Sequence, residues 1–186
     1  MASVIRHIPI RPQPQGTPSP STVYYSYRAD THHPFLPQPE MAVALTPFSG
    51  FCGFRQPSEI AAFLATVPEF AAVVGAPADE FKSTFAKSAS PSEEDKKTGL
   101  KSMFSALMKA DDKVVADEVA KLVKRLEGEK GEDFKEEREL ALLLNNEFPG
   151  DVGVFCTFVL NIVHLKPGEA VFLKANEPHA YLDGGN

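Results

Sequence analysis

Five histidines and two cysteines are the side chains best suited to metal or nucleophilic chemistry in this 186-residue chain. His32 and His33 are adjacent, so in an extended chain their rings point apart, and Pro34 follows them; they read as an exposed loop. His7 lies in a proline-rich stretch, and His164 falls in a β-like run with no partner motif. His179 differs because Tyr181 follows two positions later. On an extended segment both side chains project to the same face, which puts an imidazole and a phenol in one cavity. A histidine after a strand is by itself more often hydrogen-bonded or exposed than metal-bound. A tyrosine there lines a core as readily as it contacts a substrate. Glu40, taken alone, is a strand-end carboxylate facing water, and Lys166, Lys174 and Glu177 are solvated charges. Cys52 and Cys156 are far apart and flanked by apolar or small residues, which suits reduced buried thiols better than a disulfide framework or a thiolate zinc site.

The elements that must position these residues fall into three regions. Residues 1–38 carry Pro9, Pro12, Pro14, Pro18, Pro20, Pro34 and Pro37 and read as disordered, with Val23–Tyr27 as a short strand only if it finds a sheet edge. Met41–Thr46 fits a buried strand ended by Pro47 and Ser49-Gly50. From Pro57 the period is helical, with Ser58 as N-cap and Ile60, Phe63, Leu64 and Val67 on one face. Pro68 opens a second helix that closes near Gly75. Ser90-Pro-Ser-Glu93 is a capping sequence for a third, with Leu100, Met103, Phe104, Leu107 and Met108 inward and Gly99 as a weak point. Asp111 caps a fourth, with Val115, Val119, Leu122 and Leu126 forming its apolar stripe. A fifth, from about Asp133 to Asn145, turns Leu140, Leu143 and Leu144 inward, which completes a small antiparallel bundle. After Pro149-Gly150-Asp151 the run Val152–Val159 and then Ile162–Leu165 read as strands. Pro167-Gly168 fits a type II turn, and Ala170–Leu173 is the strand after it.

Period alone leaves the function of this α+β order open. The segment Pro167-Gly-Glu-Ala-Val-Phe-Leu-Lys-Ala-Asn-Glu-Pro-His-Ala-Tyr-Leu182 resembles the signature of type I phosphomannose isomerases, approximately PGEAxFLxANxPHAYL. Pro39-Glu-Met-Ala-Val-Ala-Leu-Thr46 followed by Gly53-Phe-Arg55, and Phe148-Pro-Gly-Asp-Val-Gly153, resemble the same family in the same order, so the likeness runs from about 39 to 186. It implies strands of a cupin-type β-barrel (jelly-roll) interrupted by an inserted helical domain, with the barrel incomplete. The expected divisions are 1–38 foreign or disordered, 39–56 cupin strand, 57–148 helical insert and 149–186 cupin strands with the metal motif. The resemblance further implies one zinc ion, with Glu40 and His179 as ligands and Tyr181 in the substrate site. A carboxylate and a neutral imidazole suit a Zn²⁺ centre that keeps a position open. The implied reaction interconverts mannose 6-phosphate and fructose 6-phosphate through a cis-enediol, supplying mannose for GDP-mannose synthesis.

Several family features are absent from the sequence. The Gln-x-His ligand pair has no counterpart in residues 1–38, where Gln13-Pro-Gln15 comes nearest. Gln38 stands where the family has a lysine, and Gly185 where it has an aspartate. The family's catalytic arginine, a further acid and a second barrel domain are also missing. The expectation is an inactive fragment with weak zinc affinity, and the alternative is a non-catalytic cupin relative whose helical module binds a protein partner. A net charge of −6 and a pI near 5.4 exclude a nucleic-acid binder, since phosphate neutralisation needs clustered Lys and Arg. No secretory h-region and no apolar run of about 20 residues occurs, so a cytoplasmic protein, monomeric and off the membrane, is expected.

Overall fold

The computed structural model describes residues 40–87 and 91–184; the Val23–Tyr27 strand and the Ser90 cap lie outside them. These residues divide into a helical unit, 55–159, and a strand unit made of 40–54 and 160–184.

In the helical unit α1 (Pro57–Thr66) starts one residue before the expected Ser58 cap. Proline at the first position has its φ already set, and the Glu59 carboxylate accepts from the Gln56 N–H at 3.0 Å, which makes Gln56 the boundary. Helix α2 (Pro68–Val74) ends at Gly75, whose φ of 70° stops it as read. The sequence reading missed α3 (Ala76–Lys87), although Ala78, Phe81 and Phe85 sit at helical spacing and are buried. In α4 (Glu93–Met108) the cap is Ser92, whose hydroxyl accepts from Asp95 N–H while Asp95 accepts from Ser92 N–H. Gly99 does not break α4. It is a packing notch: a Cβ there would sit 2.6 Å from Phe85 Cε2.

Asp111 caps α5 (Asp112–Gly128) through bonds from Lys113 and Val114 N–H, and the stripe Val115, Val119, Leu122 and Leu126 is buried. In α6 (Lys135–Glu147) the inward stripe is Ala141 and Leu144, with Leu140 half-buried, whereas Leu143 is 52% exposed. The apolar cluster there was too short to fix the phase of the helix. The run 152–159 is not a strand: α7 (Gly153–Cys156) and successive turns occupy it, with N–H to O bonds from Val154 to Asp151, Phe155 to Val152 and Phe158 to Phe155. A continuous apolar run does not distinguish a buried helix from a buried strand. Its phenylalanines join the core of this unit, Phe155 against Phe70 and Phe158 against Phe63.

The strand unit holds β1 (Glu40–Val43), β2 (Phe48–Phe54), β3 (Leu160–Leu165), β4 (Ala170–Leu173) and β5 (His179–Asp183). Strands β1 and β4 pair antiparallel, and β2 lies between β3 and β5, antiparallel to both. Strand β2 falls where small residues were read as a strand end. Gly50 is required there because a Cβ would meet Ala180 O at 2.8 Å. The irregularity between Phe51 and Phe54 is held by Asn161, whose Nδ2 donates to Cys52 O and Phe54 O. Among the described residues, sheets of two and three strands do not close a barrel, which takes more strands and a fixed stagger.

Candidate metal centre

Alternation along β1 puts Glu40, Ala42 and Ala44 on one side, with both alanines buried, and Met41, Val43 and Leu45 on the other, exposed. Glu40 pairs in register with Leu173 of β4. On β5, Ala180 and Leu182 are buried on one face and His179 and Tyr181 share the opposite one, as their spacing predicts. His179 lies across from Cys52 and Tyr181 across from Gly50.

Glu40 and His179, 139 positions apart in the chain, meet with Glu40 Oε2 3.4 Å from His179 Nε2. The other ring nitrogen, Nδ1, is 2.9 Å from the carbonyl oxygen of Glu177. A carbonyl only accepts, so Nδ1 carries the proton, and in the neutral ring Nε2 presents its lone pair toward Glu40. A charge-assisted hydrogen bond would be shorter, about 2.8 Å. Two ligand atoms each about 2.1 Å from one tetrahedral ion stand about 3.4 Å apart. The donor set therefore fits a divalent cation of borderline hardness. Among the described residues no group of three or more His, Cys, Asp and Glu is arranged to hold a metal, so the centre here is a pair.

The Tyr181 ring lies 6.1 Å from His179 and meets Phe48 edge-on at 5.2 Å. Burial, with Glu40 and Cys52 nearby, pushes its phenol above the usual range, so at neutral pH it is a hydrogen-bond donor. Burial and the Glu177 charge likewise raise the Cys52 thiol. His164 is exposed on β3, and His7, His32 and His33 lie outside the described residues. Glu177, read from sequence as a solvated charge, is half-buried: its carboxylate accepts from Lys174 N–H at 3.0 Å. The repeated Lys-x-x-Glu spacing, at 166–169 and 174–177, was the available signal.

A helical segment inserted in sequence between the strands, and a strand unit that carries a carboxylate–imidazole pair, define a protein of mixed α and β structure. Residues 76–160 match the family model described as phosphomannose isomerase type I, helical insertion domain. The mannose-6-phosphate isomerase of Macaca fascicularis is 45% identical over 163 residues, which take in 84% of this chain and 37% of that protein. A zinc-bound mannose 6-phosphate isomerase structure superposes with a TM-score of 0.60 at 32% identity, over 78% of this chain and 33% of its own. A Salmonella typhimurium structure with fructose 6-phosphate and zinc matches at a TM-score of 0.60 and 31% identity, over 79% of this chain and 33% of its own. The chain is a relative of the type I phosphomannose isomerases and spans about a third of the length of those it matches.

Proposed function

We propose that the chain is part of a zinc-dependent mannose-6-phosphate isomerase in which Glu40 and His179 hold the ion. The observation that carries this reading is the 3.4 Å approach of Glu40 Oε2 to His179 Nε2, with Nδ1 already committed to a carbonyl. Zinc there would act as a Lewis acid on the sugar oxygens at the reacting carbons. Glu40 supplies an anionic oxygen that offsets the ion's charge. His179 supplies a neutral nitrogen fixed in direction from behind. Tyr181, protonated and on the same face, donates a hydrogen bond to a sugar hydroxyl and orients it. The reaction moves one proton between C1 and C2 of a hexose 6-phosphate through a cis-enediol, and its mannose 6-phosphate feeds GDP-mannose synthesis. Similar mannose 6-phosphate isomerase structures hold zinc and fructose 6-phosphate, which supports the substrate class.

Two protein ligands leave a zinc ion largely hydrated. The 186-residue polypeptide alone is therefore expected to bind zinc weakly and to show no measurable turnover. Zinc quantified on the purified chain, together with a coupled assay of fructose 6-phosphate formation, is the test. His179→Ala and Glu40→Ala should each abolish the residual zinc binding. Binding that survives both substitutions would overturn the assignment, and turnover that disappears in His179→Ala would overturn the expected inactivity and show that other residues complete the site.

A further inference from the structure

The strand unit contains the same turn twice. In Lys166–Glu169 and Lys174–Glu177 the fourth residue's N–H donates to the first residue's carbonyl, at 2.9 and 3.1 Å. The third residue is left-handed in both, Gly168 at φ 87° and Asn176 at φ 65°. The glutamate carboxylate in each accepts from the first residue's N–H, Lys166 to Glu169 Oε2 at 2.7 Å and Lys174 to Glu177 Oε2 at 3.0 Å. Only the second turn leads into His179. There the Glu177 carbonyl accepts from Nδ1, and the next carbonyl, of Pro178, accepts from Gly53 N–H at 2.8 Å. Gly53, at φ 69°, leaves room for the glutamate: a Cβ on it would lie 2.9 Å from Glu177 Oε1.

We infer that Glu177 is a positioning residue for His179: its carboxylate locks the turn, the turn aims its carbonyl at Nδ1, and the carbonyl keeps the imidazole proton off Nε2. The competitor for that proton is Glu40. A neutral imidazole has one N–H, and a carboxylate 3.4 Å from Nε2 would take it in a charge-assisted bond if nothing held it on the far side. Such a bond would remove the lone pair that a metal needs. The consequence for zinc rests on the proposed function, whereas the tautomer does not.

Nitrogen-15 NMR of histidine-labelled, zinc-free protein, at a pH where the ring is neutral, reads the tautomer. The parent chain should show the Nδ1–H form. Glu177→Ala should shift His179 toward Nε2–H, and Glu177→Gln, whose amide oxygen still accepts from Lys174, should restore the parent state. Glu169→Ala, which removes the equivalent contact from the other turn, should leave His179 unchanged. Zinc titrated against a chromophoric chelator should bind about tenfold more weakly to Glu177→Ala and within about twofold of the parent to the other two variants, the usual range for a group that orients a ligand. An unchanged tautomer in Glu177→Ala overturns the inference, and so does an equal effect of Glu169→Ala, which would indicate general loosening of the sheet. A tautomer shift in Glu177→Ala alongside zinc binding that ignores His179→Ala supports the positioning role and refutes the zinc centre instead.

Discussion

At the residue scale, individual atoms decide what a motif can do. Gly99 looks like a helix defect in sequence, and an exposed helix gains about 1 kcal/mol from Gly→Ala. Here the added methyl would sit 2.6 Å from Phe85 Cε2, on a ring that is itself buried. Overpacking of that kind costs about 1–3 kcal/mol, so Gly99→Ala should lower the melting temperature; a rise in thermal unfolding scans would mean that Phe85 moves aside without penalty. The sequence made His179 and Tyr181 legible as a pair because a two-residue spacing on a strand fixes their common face. Their approach to Glu40 was legible only through the family likeness, since no local rule brings residues 139 positions apart together. Glu177 was misread because a charge class says nothing of the turn that uses it.

Among the elements, caps and stripes were the readable features. Asp111, Pro68 and Gly75 delimit helices as their chemistry predicts, while α7 was lost to an apolar run whose period is ambiguous, and α3 was missed although Ala78, Phe81 and Phe85 keep helical spacing. One contact between elements was not readable at all. Glu69 of α2 is buried and takes two hydrogen bonds from Arg125 of α5, Nε to Oε1 at 2.9 Å and Nη2 to Oε2 at 2.7 Å. Burial by itself would push the Glu69 carboxyl up, but the guanidinium bonds and charge outweigh it and hold the group below the usual carboxylate range. A carboxyl lowered on folding stabilises the fold above its unfolded pKa, and that stability is lost as pH falls through the folded one. Glu69→Gln should therefore cost about 1.5 kcal/mol near neutrality. The difference between variant and parent should narrow as pH falls below the usual carboxylate range, which denaturant titrations at neutral and at acid pH would read. A cost independent of pH would place its origin in packing.

Across the whole molecule, the two units differ in how their apolar surface is accounted for. The helical unit closes on itself: Phe63, Phe70, Met103, Leu107, Val119, Leu122, Phe155 and Phe158 are all buried and all lie within 55–159. Each such side chain contributes about 1.5–3 kcal/mol on leaving water. Arg55 ties the start of that segment to α6 and α1, bonding Glu137 Oε1 at 2.9 Å and packing over the Phe63 ring. The strand unit keeps one face of its β1–β4 sheet uncovered, with Met41, Leu45 and Phe172 exposed by 62% or more. Surface of that kind adds nothing to stability until something covers it. The excised segment 55–159 should therefore fold alone, with a cooperative thermal transition and dispersed amide signals. Limited proteolysis of the full chain should leave a fragment of about the same limits. Because the family match itself falls on 76–160, the experiment also tests whether that insertion is an autonomous domain. A segment 55–159 that lacks a cooperative transition, or a digest in which the strand residues outlast the helices, would mean that the helical core depends on the strands for its stability.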